Sequence, residues 1–323
     1  MAIHNLGYRH CEGRRQSHRT RWLVLTENGI RRAWASAWLR RMLFFAWLPS
    51  ISMGFLIFLY EQSESGSPAS RATLLQLSPL LMDSDTDIRN TRSGVLDLLT
   101  KSRESPGEAR HTFWSSLLLT LFRRSQPFIL IPMIGIIAPP LISQDIRSRA
   151  FLIYFSRPLS RTQYVVGKLA TVLFYVFLIT LLPALLLFCT GVLLSPDLSV
   201  LSSTLDLPLR IFAASVVIAL PTASLALMLS SLTVESRFAA FAWFSLWIFG
   251  AFTASLITNA QWGAPDSGLR YLSLFELFSD VAATILDRDL GDREIVEQLS
   301  VLTVITGVSM AVLIRRISAP LQA

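Results

Sequence analysis

The sequence carries little charge. Only 16% of its 323 residues are Asp, Glu, Lys or Arg, whereas soluble domains usually carry about 25%. Hydrophobic residues make up 52% of the chain, and they are gathered into long runs instead of being scattered. Such runs are typical of helices that cross a lipid bilayer. The composition therefore predicts an all-α polytopic membrane protein.

The sequence also lacks the residue patterns of common catalytic and metal sites. Its two cysteines, Cys11 and Cys189, lie in a basic tail and in an apolar run, so neither a disulfide nor a metal site is predicted. There is no P-loop, because the nearest fragment, Gly167-Lys168, lacks the earlier Gly and is followed by Leu169. HExxH and GxSxG are absent as well. We therefore expect no enzymatic activity and no bound cofactor in this chain.

Lysine is scarce, although the net charge is +7. Of the 29 basic residues, 27 are Arg, and they stand in short blocks beside the apolar runs. This arrangement is typical of the cytoplasmic flanks of membrane spans. The expected partner of these arginines is the lipid bilayer, and nucleic-acid binding is not expected.

Six uncharged runs are long enough to cross a hydrocarbon core of about 30 Å at about 1.5 Å per residue. The apolar stretch 111–122 is too short to cross and is followed by two arginines, so it predicts an interfacial helix before the second span. Large external loops are expected at 61–124 and 261–297. The predicted six-span domain, residues 42–323, has spans at about 42–60, 125–142, 165–194, 211–232, 238–260 and 298–314.

The distribution of Lys and Arg predicts the orientation. The first 42 residues hold nine Arg and two Glu, the chain 143–168 holds five basic residues and one acidic residue, and the sequence ends soon after Arg315-Arg316. Residues 266–297 have an acidic excess instead. Because basic loops stay on the cytoplasmic side, the N-terminus, the 143–168 segment and the C-terminus are predicted to be cytoplasmic.

Residues 1–41 are predicted to form a basic cytoplasmic tail and an elbow helix. Asn28-Gly29 is expected to break the chain, and residues 30–41 to form a helix. Trp34 and Trp38 would lie on one side of this helix, with Arg31 and Arg32 mostly elsewhere, an arrangement that suits the headgroup layer of a membrane. The alternative is that residues 30–41 simply extend the first span.

Charge and turn signals are concentrated in residues 143–168. Ser143 is predicted to cap a short helix that ends before Pro158. The sequence Ser160-Arg161-Thr162-Gln163 then predicts a capping box, so the third span should begin as a helix at about residue 161. The short helix would be apolar on two sides, which indicates that one side packs on this chain and the other on a partner.

The order of residues in this segment resembles that of the type-2 family of ABC exporter permeases. Two departures from the family pattern are Arg149, where the family usually has Gly, and Leu159, where Ile or Val is commoner. The basic elbow, the large first external loop and the six spans extend the resemblance over the chain. The matching residues are Gln144-Asp145, Arg147-Ser148, Ser156-Arg157-Pro158-Leu159-Ser160-Arg161, Tyr164 and Gly167-Lys168.

The resemblance implies a permease subunit of an exporter in the bacterial cytoplasmic (inner) membrane. A separate ABC ATPase, which binds ATP-Mg, would dock on the 143–161 loop as on a coupling helix. A second permease chain, identical or related, would complete the transporter. The residues expected to bind the ATPase are Gln144, Asp145, Arg147, Arg149, Phe151, Phe155, Arg157, Pro158, Arg161 and Lys168.

Other functions remain open at this point. A six-span protein can also anchor a partner complex without transporting anything. A membrane enzyme or an ion-coupled carrier is disfavoured, because the uncharged runs contain no ionisable residue and such proteins usually need one in mid-membrane. An apolar stripe between Tyr271 and Ile285 fits either a lid over a pathway or a helix that packs on the spans. The transported substrate does not follow from the sequence.

Overall fold

The computed structural model describes residues 20–81, 88–102, 104–151, 154, 159–196, 200–259, 273–286 and 292–318. Every regular element within these ranges is a helix, which confirms the predicted all-α fold. The protein is thus a membrane protein built from long apolar helices. Among the described residues, five helical stretches are long and apolar enough to cross a bilayer, namely Ala37–Glu64, Pro106–Arg147, Arg161–Leu194, Val200–Leu232 and Ile295–Ser318.

The first two helices are α1 (Arg21–Trp34) and α2 (Ala37–Glu64), and the chain breaks between them at residues 35–36. The Ser36 hydroxyl caps α2 by accepting a hydrogen bond from the Leu39 N–H at 3.5 Å. The predicted break at residues 28–29 is therefore wrong, and so is the predicted helix 30–41. Trp34 ends α1, while Trp38 belongs to α2.

Gly29 lies inside α1 because a neighbouring helix passes very close to it. A Cβ on Gly29 would lie only 2.5 Å from Thr171 Oγ1, and a Cβ on Gly167 would lie 2.9 Å from the carbonyl oxygen of Trp22. Small residues at a helix crossing let two backbones approach closely. The two glycines thus serve the packing of α1 against the helix that begins at Arg161, and neither of them breaks a helix.

Residues 61–124, predicted as a large loop, are largely helical where the structure describes them. They contain the end of α2, α3 (Pro68–Leu81), α4 (Ile88–Lys101) and α5 (Pro106–Thr120). A π-helical turn, Leu121–Ser125, joins α5 to α6 (Gln126–Ile137), which leads into α7 (Pro139–Arg147).

The predicted separate interfacial helix at 111–122 is therefore wrong. The expected stop at Arg123-Arg124 does not occur, because the Arg123 guanidinium Nε donates to Ser279 Oγ at 2.6 Å. A polar partner on another part of the chain lets the helix continue past this charge. The π-helical turn takes up the local irregularity, as such turns often do.

The second half of the chain packs around one helix. It comprises α8 (Arg161–Ile179), α9 (Leu181–Leu194), α10 (Val200–Thr204), α11 (Asp206–Leu232), α12 (Ser236–Asn259), α13 (Leu274–Leu286) and α14 (Asp292–Ser318). Helix α11 contacts α7, α8, α9, α12, α13 and α14. Its buried face is rich in small residues, which permit close helix packing; these include Ala214, Ser215, Ala219, Ala223 and Ala226.

Helix α13 contains most of the apolar stripe between residues 271 and 285. Leu274, Phe278, Val281 and Ala282 are buried, and the helix packs against α5, the π-helical turn, α11, α12 and α14. Of the two hypotheses for this stripe, the burial favours a helix that packs on the spans. Tyr271 lies outside the described residues.

Candidate functional site

The candidate site lies between α7 and α8. Helix α7 begins and ends at other residues than those predicted for the short helix of this segment. Ser143 does not cap a new helix, because its hydroxyl lies inside α7 and donates to the Pro139 carbonyl oxygen at 2.6 Å. The helix begins at Pro139 instead, a residue type that suits the first helical position. It stops after Arg147, where the Ser148 N–H donates to the Gln144 carbonyl oxygen at 2.9 Å.

Arg149, directly after this helix end, has a left-handed backbone with φ 51°. Its N–H donates to the Ile146 carbonyl oxygen at 3.2 Å, as is usual for a left-handed residue that closes a helix. This conformation costs an ordinary L-residue about 1–2 kcal/mol and is adopted readily by Gly. The structure thus explains why the type-2 permease pattern has Gly at this position, where this chain has an exposed Arg.

We expect Arg149→Gly to raise the free energy of unfolding by about 1 kcal/mol, because it removes this backbone strain. Thermal unfolding of the purified chain in detergent would measure the change. Arg147→Gly is the matched control, since it places Gly inside a helical turn and should lower stability by up to about 1 kcal/mol. A fall in stability for Arg149→Gly would show that the Arg149 side chain itself supports the fold.

The start of α8 confirms the predicted capping box. Ser160 Oγ accepts a hydrogen bond from the Gln163 N–H at 3.1 Å, and Gln163 Oε1 accepts one from the Ser160 N–H at 3.1 Å. Two backbone donors that a helix start usually leaves unpaired are satisfied in this way. Helix α8 therefore begins at Arg161, as predicted.

A buried ion pair joins the two ends of the segment. Lys168 Nζ lies 2.7 Å from Asp145 Oδ2, and the Tyr164 hydroxyl donates to the same carboxylate oxygen at 2.8 Å. Lys168 Nζ also donates to the Leu141 carbonyl oxygen at 2.7 Å. Asp145, Tyr164 and Lys168 are only 7%, 0% and 8% exposed. We call these three residues the base clamp, because they tie α7 to α8 where the segment leaves and rejoins the helices.

Aromatic rings extend the base clamp into the segment. The ring of Phe151 lies 5.4 Å from that of Tyr164 in an edge-to-face arrangement, and the ring of Tyr154 lies 5.8 Å from it. Phe151 is buried. Phe151 and Tyr154 therefore pack towards the base clamp, and the Phe151 side chain is covered by this chain.

The base clamp also adjoins α1. The Thr26 hydroxyl donates to the Gly167 carbonyl oxygen at 3.1 Å, one residue before Lys168. Further along α8, the Tyr175 hydroxyl donates to the Ile30 carbonyl oxygen at 2.9 Å. A displacement of α8 at the base clamp would therefore be transmitted to α1.

The predicted partner-binding residues fall into four groups. Asp145, Phe151 and Lys168 are buried against this chain, whereas Arg147, Arg149 and Arg161 are exposed. Gln144 is half-buried and accepts a hydrogen bond from the Arg32 guanidinium. The remaining three predicted residues, Phe155, Arg157 and Pro158, lie outside the described residues.

Charged side chains of the exposed group are available for an encounter with another protein. Arg147 has one weak partner, the Glu235 carboxylate at 3.3 Å. In the elbow region, Trp34 and Trp38 are both exposed, as are Arg31 and Arg32. The binding roles assigned to these residues from the sequence stay predictions.

The sequence did not reveal a second set of interacting ionisable side chains, which are buried or half-buried at the opposite end of the long stretch 106–147. The Arg110 guanidinium donates to both carboxylate oxygens of Glu61 at 3.0 Å. Next to it, His111 Nε2 lies 3.1 Å from Asp206 Oδ2, and Arg210 Nε lies 3.0 Å from the same oxygen. Glu61 and Arg110 are distant in sequence, as are His111 and Asp206, so no local pattern predicts these two pairings, whereas Asp206 and Arg210 are four residues apart on one helix. They join α2, α5 and α11.

A comparison with known protein families identifies the family of this chain. A family model described as "ABC-2 family transporter protein" matches residues 37–314, which include the base clamp and nearly all of the five candidate spans. Among curated proteins, no match to this sequence was found. The family match confirms the resemblance carried by the 143–168 segment. The chain therefore belongs to the ABC-2 transporter family, as a membrane permease component of an ABC transporter.

Proposed function

We propose that this chain is the permease subunit of an ABC-type exporter in a bacterial inner membrane. A separate ABC ATPase binds ATP-Mg and docks on the 143–161 loop, while this chain binds no cofactor. A second permease chain, identical or related, completes the transporter. The observation that carries the proposal is the construction of the loop: its base is closed by the base clamp, and its described outer surface presents Arg147, Arg149 and Arg161.

Six spans with both termini in the cytoplasm fit this arrangement. In addition to the five candidate spans, α12 has 24 residues, which gives about 36 Å at about 1.5 Å per residue. Its sequence has no charged residue after Arg237, so it is apolar enough to be the sixth span. An even number of spans returns the chain to its starting side, and the basic residues near both ends favour the cytoplasmic side.

The base clamp would convert movement of the ATPase into movement of the spans. Separating a buried ion pair is energetically unfavourable, because each charge would be left without its partner in a poorly solvated environment. A push on the loop would therefore move α7 and α8 together. Since α7 is the end of the helical stretch Pro106–Arg147, the movement would reach the far side of the membrane.

The test is association with the separate ABC ATPase that the proposal requires, sought first in the reading frames next to this one. We expect the two proteins to co-purify, and Arg161→Glu to weaken the association at least tenfold, since a like-charge contact across an interface costs several kcal/mol. The fold should survive, because a carboxylate in the first turn of a helix is favourable. ATP hydrolysis by the co-purified complex gives a second readout.

Lys101→Glu is the control for this experiment. Lys101 lies at the end of α4, where its ion-pair partner among the described residues is the Glu108 carboxylate at 3.6 Å. The proposed orientation puts Lys101 on the far side of the membrane. Association with the ATPase should not change. Equal retention of the ATPase by the Arg161→Glu and unmodified chains would contradict docking on the loop. Association without any effect on ATP hydrolysis would instead favour a membrane anchor that transports nothing.

A further inference from the structure

A cavity of about 190 Å³ lies between α1, the start of α2, and the α6–α7 junction. Its lining is mostly apolar and includes Ala33, Leu39, Ile137 and Leu141. Leu39 and Ile137 are buried, whereas Arg32, which also lines the cavity, is exposed. The cavity thus has an apolar floor and a cationic rim, and we call it the elbow pocket.

The elbow pocket lies where the charged residues at the start of α2 are followed by its uncharged, mostly apolar run. Its wall contains Ser36, between α1 and α2, and the uncharged run of α2 begins at Met42, directly after Arg40-Arg41. Trp34 and Trp38 flank this boundary and are 43% and 67% exposed. Exposed Trp beside Arg is typical of the headgroup layer of a bilayer.

The rim carries a positive charge that the described residues do not neutralise. The guanidinium of Arg32 donates to the amide oxygen of Gln144, a neutral group, and no carboxylate of the described residues forms an ion pair with it. Nearby, Lys168 is neutralised by Asp145. The neighbouring Arg31 differs, because its guanidinium lies 2.6 Å from the Glu27 carboxylate.

We propose that the elbow pocket binds an anionic phospholipid. The phosphate would lie against the Arg32 guanidinium, which suits planar, bidentate contact with phosphate oxygens. Part of an acyl chain would fill the apolar floor, where each buried CH₂ contributes about 0.8 kcal/mol. A free anion would gain only the rim contact. The bound lipid would join α1 to α7 beside the base clamp, and the assignment to the cytoplasmic leaflet rests on the orientation proposed above.

The test uses the full-length chain purified in a neutral detergent, without an ATPase, so its result is independent of the proposed transport function. Phosphatidylglycerol and phosphatidylcholine with identical acyl chains are titrated, and binding is followed by native mass spectrometry and by the shift in thermal unfolding midpoint. We expect tighter binding of phosphatidylglycerol. Arg32→Gln should weaken that binding about tenfold, roughly 1.4 kcal/mol, and remove the preference between the two lipids.

Two further variants locate the lipid. Arg31→Gln should leave lipid affinity unchanged, because Arg31 is paired with Glu27 and does not line the pocket. Ala33→Leu places extra carbons in the pocket and should weaken both lipids. Arg32→Gln keeps an amide that can bond to Gln144, so its unfolding midpoint without lipid should match that of the unmodified chain.

Several results would overturn the proposal. Equal binding of the two lipids by the unmodified chain would exclude a specific headgroup contact. Equal losses in Arg31→Gln and Arg32→Gln would indicate a diffuse effect of surface charge. Full affinity in Ala33→Leu would place the lipid outside the pocket. Competition by glycerol phosphate at the same concentration as the lipid would indicate a site for a free phosphate.

Discussion

Replacing Lys168 with Met is expected to destabilise the chain by about 3–5 kcal/mol, the typical cost of leaving a buried charge without its partner. Asp145 is only 7% exposed, and after the change its remaining side-chain partner in the base clamp is the Tyr164 hydroxyl. Met keeps the length of the side chain, so lost packing contributes little. Thermal or denaturant unfolding of the purified chain in detergent measures the effect.

Two variants separate the ion pair from a general effect of the substitution. In the double variant Asp145→Asn with Lys168→Met, the buried charge is gone and the Asn oxygen can still accept from Tyr164, so most of the stability should return. Arg147→Met breaks the exposed pair with Glu235 and should cost no more than about 1 kcal/mol. If Lys168→Met were as mild as Arg147→Met, the base clamp would not hold α7 to α8.

Replacing Arg110 with Met is the second change with a large expected effect, again about 3–5 kcal/mol. Glu61 is 5% exposed, and Arg110 is its bidentate partner, with both contacts at 3.0 Å. Loss of the guanidinium leaves that carboxylate buried and, among the described residues, with the long contact to the Ser195 hydroxyl at 3.5 Å. The same unfolding measurement in detergent gives the loss.

The control for this change is Lys101→Met, which removes an exposed pair and should cost no more than about 1 kcal/mol. The double variant Glu61→Gln with Arg110→Met should recover most of the stability. Because Arg110 and the 143–161 loop lie at opposite ends of the stretch 106–147, ATPase association should persist in every variant that folds. Stability unchanged by Arg110→Met would mean that water reaches Glu61 and solvates its charge.

Helix content was predictable from the sequence, whereas several helix boundaries were not. Long uncharged runs indicate helices because a segment in lipid must pair its own backbone N–H and C=O groups, which a helix does within the segment. The continuation of α1 through Gly29 depends on Thr171, which lies far along the chain. The continuation of α5 past Arg123 depends on Ser279 in the same way. Local patterns do not contain such partners.

The candidate site shows the same division between local and distant signals. The capping box at Ser160 and Gln163 is a pattern of four residues, and the structure confirms it. The segment resemblance, which the family match supports, is also a local pattern. The pairing of Asp145 with Lys168 arises only when α7 and α8 lie side by side, so the sequence placed both residues among the contacts to a partner, whereas the structure buries them against each other.

The most direct test of the central claim is site-specific photocross-linking between this chain and the proposed ABC ATPase. A photoreactive amino acid replaces either Arg149 or Ser203. Arg149 is exposed on the loop, whereas Ser203 is exposed near the start of the stretch Val200–Leu232 and, in the proposed orientation, on the far side of the membrane. Docking on the 143–161 loop predicts a cross-linked band to the ATPase from position 149 and none from position 203. No band from position 149, or equal bands from both positions, would contradict the account.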